Sequence, residues 1–148
     1  MPLSEIVSFE PATGRELFRS SIGDVDEAVA RAREAFPGWA SRPVANRMEL
    51  VRRFANEVLA ATDEFAELIA RETGKPLWEA KTEVEAVIGK VEISINSYLE
   101  RTGQKKLDSA LGGSSAVRHK PHGIMAVLGP YNFPAHLPNG HIIPALIA

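Results

Sequence analysis

The chain opens with two short apolar-rich runs and then changes to a helical spacing of apolar residues. The runs occupy residues 6–9 and 17–22, and Pro11-Ala12-Thr13-Gly14 stands between them. Proline fixes φ and glycine permits positive φ, so this sequence favours a turn. The two runs are therefore predicted to pair as a β-hairpin.

The next stretch predicts an amphipathic helix. Asp24 is a favourable N-cap residue, and Glu27 stands three positions later, as in a capping box. The sequence Pro37-Gly38 is expected to end or kink the helix, because proline lacks a backbone N–H. The apolar positions fall on one helical face and predict core packing: Val25, Ala28, Val29, Ala32, Phe36 and Trp39.

Three further helices are predicted before residue 102. Pro43 suits the first turn of the second helix, Thr62 suits the N-cap of the third, and Gly74 suits its C-terminal end. The fourth runs from about Pro76 to Arg101. Their apolar stripes are interpreted as core: Val44, Met48, Val51, Phe54, Ala55 and Val58; Phe65, Leu68 and Ile69; Leu77, Ala80, Val84, Val87, Ile88, Val91, Ile95, Tyr98 and Leu99.

The charged residues around the fourth helix are interpreted as solvent-facing. They comprise Glu83, Glu85 and Lys90 on the helix, and the cluster Glu72, Lys75 and Glu79 at its start. Such a cluster also occurs in active sites. Charges near helix ends more often cap and solvate those ends, so that interpretation is preferred here.

The pattern changes again after Thr102. Residues 103–115 are polar and contain glycine, which predicts a connecting loop. Two β-like runs follow at 115–119 and 123–128, and the second is almost continuously apolar, as a strand buried on both faces would be. Residues 137–148 then predict an apolar helix that contains a proline. A buried strand followed by a helix opens a βα unit, so the predicted fold class is α/β.

This ending predicts that the 148 residues are part of a longer protein. A parallel sheet needs further strands beside residues 123–128, and no further strand follows in the sequence. The apolar side chains of the last helix would also lack a cover, namely Ile142, Ile143, Leu146 and Ile147. A native product of only 148 residues would contradict this expectation.

Composition and charge narrow the function classes. The chain is 45% hydrophobic and 24% charged with a net charge of −2, which is typical of a globular protein rather than a disordered one. The absence of a basic excess argues against a nucleic-acid partner. No run of about 20 apolar residues predicts a membrane span, and no secretory signal precedes the hairpin. A cytoplasmic protein without a membrane partner is expected.

The sequence gives little support for a metal site or for a functional thiol. The sequence contains no cysteine, which excludes disulfides and a cysteine nucleophile within these residues. The four histidines form two close pairs, His119 with His122 and His136 with His141. Neither pair has a nearby set of carboxylates, so no metal site is predicted.

The sequence Gly129-Pro130-Tyr131-Asn132-Phe133-Pro134 resembles the turn that follows the first strand of the NAD-binding domain in the aldehyde dehydrogenase superfamily. Segments 10–14, 35–39, 72–76 and 120–123 resemble the same family in the same order. The resemblance therefore extends over essentially the whole chain.

Within that family, segments 100–103, 118–123 and 136–142 are similar to the succinylglutamate semialdehyde dehydrogenases of the arginine succinyltransferase pathway. Like that subfamily, the chain has Tyr131 in place of tryptophan and His141 in place of lysine. Ala135 departs from the glycine expected at its position.

The resemblance implies that residues 1–148 are the N-terminal portion of a helix-rich, Rossmann-type NAD-binding domain. It implies oxidation of an aldehyde to the carboxylate, with NAD as cofactor and NADP left open, by an enzyme that forms a homo-oligomer. A cysteine nucleophile and a glutamate base would lie outside these residues, so the chain alone is expected to be inactive.

The same resemblance implies roles for residues in this stretch. Asn132 would be catalytic, because its side-chain amide would donate a hydrogen bond to the oxyanion. The nicotinamide end of the cofactor would contact Leu128, Gly129, Pro130 and Tyr131. The aldehyde path would be lined by Phe133, Leu137 and Gly140.

Two other function classes stay open at this point. One is a non-catalytic binding or assembly module derived from a dehydrogenase. The other is an unrelated helical interaction protein. The turn at residues 129–133 argues against the second, since a helical adaptor has no use for it.

Overall fold

Helices provide most of the regular structure in this computed structural model, which describes residues 5–103, 105–108 and 112–148. None of the helices in these ranges combines the length and apolarity that a membrane crossing requires. The elements in chain order are β1 (Glu5–Phe9), β2 (Glu16–Ser21), α1 (Val25–Ala40), α2 (Val44–Ala60), α3 (Thr62–Thr73), α4 (Leu77–Arg101), β3 (Lys105–Asp108), β4 (Ser114–Val117) and α5 (His136–Ile147).

The predicted hairpin is confirmed, since β1 and β2 pair antiparallel. Two polar contacts attach it to the end of α3. Ser8 Oγ donates a hydrogen bond to Glu72 at 2.8 Å, and Arg71 Nε donates one to Glu10 at 3.0 Å. The hairpin is therefore held against α3 through side chains rather than through a shared sheet.

Helix α1 begins as predicted but ends later. The Asp24 side chain accepts a hydrogen bond from the backbone N–H of Glu27 at 3.1 Å. The helix continues through Pro37 to Ala40. Of the two expectations for Pro37-Gly38, an end or a kink of the helix, the end was therefore wrong. Proline removes only its own N–H donor, and its carbonyl still accepts from Ser41 at 3.1 Å. No residue of α1 is buried, so its apolar face lies outside the core of the described chain.

The core lies between the other helices and comprises two clusters. The first joins α2, α4 and α5: Met48, Val51, Ala55, Val91, Ile95, Ile143 and Ile147. The second joins α2, α3 and α4: Val58, Ala66, Ile69, Ala80, Val84 and Val87. These clusters confirm most of the predicted stripes of α2 and α4. Four residues of the predicted stripes of α2, α3 and α4 are exposed instead: Phe54, Leu68, Leu77 and Leu99.

Two predictions about polar residues of α3 and α4 were wrong. Thr62 is the first helical residue rather than the N-cap, and its hydroxyl donates to the Leu59 carbonyl at 2.8 Å. Glu83 does not face water but is only 3% exposed. Glu85 is exposed as predicted. Gly74 ends α3 in the left-handed conformation, with φ of 75°, as predicted.

The region after α4 differs most from the predictions. Part of the predicted loop is a hairpin, in which β3 pairs antiparallel with β4, while residues 104 and 109–111 lie outside the described residues. Residues 118–135 contain neither helix nor strand, so the predicted buried strand at 123–128 is absent. A strand needs neighbours that accept its backbone hydrogen bonds, and no described strand lies beside this segment.

Helix α5 is confirmed, with Pro144 inside it. The expectation that its apolar residues lack a cover was wrong for Ile143 and Ile147, which are 2% and 0% exposed. Both pack against α2 and α4. Ile142 and Leu146 remain exposed on the other side of the helix.

Candidate functional site

The turn at residues 131–135 leads into α5, and a carboxylate from α4 holds its last residue. Glu83 Oε1 accepts hydrogen bonds from the backbone N–H groups of Ala135 and His136, both at 3.0 Å. A helix leaves its first N–H groups without partners inside the helix. Ala135 is the N-cap residue and has no side chain that could accept them. Glu83 therefore caps α5 from a neighbouring helix.

Lys75 connects this carboxylate to the start of the same turn. Its Nζ lies 2.7 Å from Glu83 Oε2 and donates to the Asn132 backbone carbonyl at 2.9 Å. The same Nζ lies 4.2 Å from the centroid of the Phe133 ring, within the range of a cation–π contact. The Lys75 and Glu83 side chains are 8% and 0% exposed. The site is thus organised around a buried ion pair.

The charged cluster at the start of α4 has mixed roles. The interpretation of its members as solvated was wrong for Lys75, which is buried against Glu83. Glu79 is a more distant partner, with its Oε1 atom 4.0 Å from Lys75 Nζ. Glu72 instead accepts the hydrogen bond from Ser8 and so helps to hold the β1–β2 hairpin against α3.

Glu83 has a pKa below its ordinary value of 4.5. Burial is the largest single influence and favours the neutral acid. The Lys75 ammonium and the N–H groups of His136 and Ala135 favour the carboxylate, and together they outweigh burial. Glu83 is therefore ionised at neutral pH.

One further polar side chain, that of Asn139, connects α5 to α4. Asn139 is 5% exposed, and its Nδ2 atom donates to the Val87 carbonyl at 3.0 Å. His136 carries a buried Nδ1 atom without a hydrogen-bond partner among the described residues. Across those residues, no three histidine, aspartate or glutamate side chains are grouped to hold a metal ion.

A cavity of about 270 Å³ lies beside the turn. Asn132 is one of its lining residues and is exposed, and its side-chain amide makes no hydrogen bond within the described ranges. The amide is therefore available to a ligand. The cavity is lined by Thr73, Gly74, Lys75, Pro76, Glu79, Tyr131, Asn132 and Phe133.

The predicted cofactor residues stand before the turn or begin it, and two of them are almost fully exposed. Leu128 is 96% exposed and Tyr131 is 91% exposed. Gly129 packs against α5, where a Cβ atom added to it would lie 2.3 Å from Pro138 Cγ. The glycine with its following Pro130 therefore lets the chain approach the helix more closely than any side chain would allow.

The predicted substrate residues are not gathered in one place. Phe133 lines the cavity with Tyr131 and Asn132, but Leu137 and Gly140 do not. Leu137 is 42% exposed on the first turn of α5. Gly140 faces α4, where an added Cβ would lie 3.7 Å from Lys90 Cε.

A larger cavity of about 480 Å³ lies between α1, α5 and part of the segment at 119–127. Its walls are mainly apolar and include Phe36, Trp39, Met125 and Leu146. None of the predicted site residues lines it. The smaller cavity is therefore the better candidate for the functional site.

The contributions of Glu83, Lys75 and Asn139 were missed from the sequence. For Glu83 a signal was present, because it lies three residues after Ala80 and four before Val87, on the buried face of α4. Asn139 likewise lies four residues before Ile143, on the buried face of α5. No spacing in the sequence indicated that Lys75 pairs with Glu83.

Comparisons with known proteins agree with this architecture. Residues 3–148 match the sequence profile of the Aldehyde dehydrogenase family. A curated N-succinylglutamate 5-semialdehyde dehydrogenase from Novosphingobium aromaticivorans is 68% identical over 148 residues, which are 100% of this chain and 31% of that protein. The chain thus spans about a third of the length of the curated relatives it matches. The predicted resemblance to this family and subfamily is confirmed.

Solved structures show the same fold. The NADP-dependent glyceraldehyde-3-phosphate dehydrogenase from Bacillus halodurans C-125, complexed with NADP, superposes with a TM-score of 0.89 at 26% identity over 97% of this chain and 32% of that one. PnpE in complex with nicotinamide adenine dinucleotide gives 0.88 at 27% identity over 97% of this chain and 30% of that one. These likenesses confirm the helix-rich α/β fold class predicted from the sequence.

Proposed function

The chain belongs to the aldehyde dehydrogenase family, and from this premise we propose that residues 1–148 form the N-terminal portion of the NAD-binding domain of an NAD(P)-dependent aldehyde dehydrogenase. The proposed reaction oxidises N-succinylglutamate 5-semialdehyde to the carboxylate, which the name of the relative at 68% identity supports. NAD is the proposed cofactor, and NADP belongs in the test because solved neighbours hold either one. The enzyme is proposed to be a homo-oligomer.

The placement of Asn132 carries this proposal. Asn132 is exposed and lines the 270 Å³ cavity, while its backbone carbonyl is held by Lys75. When a nucleophile adds to an aldehyde carbon, negative charge gathers on the aldehyde oxygen. A fixed amide N–H that points at this oxygen stabilises the transition state without changing its own protonation. We assign this role to Asn132.

The residues before Asn132 fit the nicotinamide end of the cofactor. Leu128 and Tyr131, which flank Gly129-Pro130 in the sequence, are almost fully exposed, and the nicotinamide ring is proposed to pack against them. When bound, the cofactor accepts a hydride from the aldehyde carbon. On this proposal the chain's own residues orient the ring and exclude water from its face.

Other parts of the reaction lie outside these residues. The chain contains no cysteine, so the thiolate nucleophile must be supplied from elsewhere. Phe133, Leu137 and Gly140 are proposed to line the path of the aldehyde. The 148-residue chain by itself is therefore expected to bind ligand without catalysing the oxidation of an aldehyde.

The test is the formation of NADH or NADPH by the purified native gene product with a panel of aldehydes. We expect the highest kcat/KM with N-succinylglutamate 5-semialdehyde, and no turnover by the isolated 148-residue chain. Equal rates with simple aliphatic aldehydes would remove the substrate assignment. No turnover of any aldehyde by the native gene product would instead favour a non-catalytic binding module.

A further inference from the structure

We propose that Lys75 and Glu83 are positioning residues that hold the Asn132 turn where its amide meets the aldehyde oxygen. The inference rests on the proposed function of Asn132. It concerns a buried ion pair that has no direct part in the chemistry but contacts the backbone at Asn132 and at the two residues that end the turn, Ala135 and His136.

The start of the turn is fixed by Lys75. An ammonium group has three N–H donors and no acceptor. One donor reaches Glu83 Oε2 at 2.7 Å and another reaches the Asn132 carbonyl at 2.9 Å. The Phe133 ring lies over the same cation at 4.2 Å. One buried charge therefore restrains two successive residues of the turn.

The end of the turn is fixed by Glu83. Its Oε1 atom accepts from the N–H groups of Ala135 and His136, both at 3.0 Å. The two oxygens of one carboxylate thus connect the helix start to the cation that holds Asn132. Because the carboxylate is fully buried on α4, it provides a rigid reference point for the turn.

A role in stability alone explains this arrangement poorly. Replacing a buried ion pair with uncharged residues of similar volume is often neutral or stabilising, because desolvation offsets the attraction. The pair instead fixes the position of the turn that carries Asn132. A displacement of about 1 Å at a reacting group can lower turnover about 100-fold. The exposed Asn132 side chain makes no hydrogen bond within the described residues, so its position depends on how the backbone of the turn is held.

The experiment removes both charges together in the native gene product. In the double variant Lys75→Met/Glu83→Gln, an amide oxygen can still accept from Ala135 and His136, but the donor to the Asn132 carbonyl is lost. We expect kcat to fall about 10- to 100-fold while KM changes less than about threefold.

The matched control is Lys81→Met/Asp63→Asn, which removes an ion pair of 2.8 Å between α4 and α3. Those side chains are 46% and 87% exposed and lie outside the cavity. We expect this control to leave kcat unchanged. An equal loss in the control would overturn the inference, because any disturbance of α3 and α4 would then suffice.

A mutant cycle with Asn132→Ala separates positioning from general damage. If the pair acts through Asn132, adding Lys75→Met/Glu83→Gln to the Asn132→Ala variant lowers kcat by less than about twofold more. If the fold-decreases in kcat caused by the pair substitutions and by Asn132→Ala multiply in the combined variant, the inference is overturned. Should the double variant fail to fold, Lys75→Arg carries the same cycle, because it keeps the cation but alters the reach to the carbonyl.

The proposed function and the positioning role of Lys75 and Glu83 are disproved by different results. If the wild-type native gene product oxidises no aldehyde, the proposed function fails and this inference fails with it. If Asn132→Ala lowers kcat as expected while Lys75→Met/Glu83→Gln leaves kcat unchanged, only the positioning role is overturned.

Discussion

Glu83 Oε1 lies 3.0 Å from the backbone nitrogen of His136, although the two residues are 53 positions apart in the sequence. The same oxygen accepts from Ala135, so a carboxylate on α4 serves as the N-cap of α5. A helix N-terminus carries partial positive charge, which favours an ionised carboxylate there. This contact sets the direction in which the chain enters α5 and thereby the place of the preceding turn.

Truncating Glu83 should destabilise the protein strongly. Glu83→Ala leaves Lys75 buried without its counter-ion and removes the acceptor for two helix N–H groups. We expect the free energy of unfolding in urea to fall by about 3–5 kcal/mol. Glu85→Ala, at an exposed position on the same helix, should change it by less than about 0.5 kcal/mol. Similar losses in both variants would contradict the capping role.

The same carboxylate should make stability depend on pH. The pKa of Glu83 is lowered in the folded protein, so its contribution is present above the ordinary value of 4.5 and is lost as pH falls through the folded-state value. In Glu83→Gln this dependence should be missing. Urea unfolding between about pH 3 and pH 7 measures it, and the wild-type curve should fall more steeply below pH 4.5.

Other carboxylates do not disturb that comparison. Glu10, Glu16, Asp63 and Glu92 also have lowered pKa values, but they are present in both proteins and contribute equally. Parallel curves for the wild type and Glu83→Gln would show that Glu83 is not ionised in a paired state.

Replacing Gly129 even with alanine should destabilise the protein. A Cβ atom there would lie 2.3 Å from Pro138 Cγ, and a proline ring has little freedom to move away. We expect Gly129→Ala to lower the unfolding free energy by about 1–3 kcal/mol through overpacking. Gly89→Ala is the control, because an added Cβ meets nothing within 4 Å and alanine favours the interior of α4, so it should stabilise by about 0.5–1 kcal/mol. Changes of the same sign would be inconsistent with the close approach.

Arg47 should anchor the end of α5 on α2. It is 7% exposed, and its guanidinium donates to the carbonyls of Ile147 at 3.0 Å and Arg42 at 2.6 Å. Arg47→Ala leaves these carbonyls without charged donors, so thermal or urea unfolding should show a loss of about 2–3 kcal/mol. Arg53→Ala, exposed on the same helix, should cost less than about 0.5 kcal/mol. If the two variants unfold alike, the anchoring role is wrong.

The helices and most of the core were predictable because their apolar residues repeat at the helical period. The period also placed Glu83 on the buried face of α4, but its charge indicated solvent. A buried charge is tolerated when it is paired. Its partners are Lys75, outside the helix, and amides 52 and 53 positions away. Such distant partners leave no periodic signal in the sequence.

The segment after α4 shows the opposite error. The apolar run at 123–128 indicates a preference for burial, but a strand also requires neighbours that share its backbone hydrogen bonds, and no described strand lies beside this segment. The β-like run predicted at 115–119 corresponds to β4, Ser114–Val117. Its partner, β3 at Lys105–Asp108, was missed because its polar sequence lacks the alternation of a half-buried strand. The sequence motif identified the Asn132 turn, whereas the ion pair that holds it depends on tertiary contacts.

The most direct test compares kcat of the native gene product with that of Asn132→Ala, using N-succinylglutamate 5-semialdehyde and NAD. Loss of one oxyanion donor should lower kcat about 10²–10³-fold. Because the side chain is exposed, stability should not change, and Asn96→Ala, an exposed asparagine on α4, should keep full activity. A folded Asn132→Ala variant with kcat within about twofold of the wild type would contradict the central role of this amide.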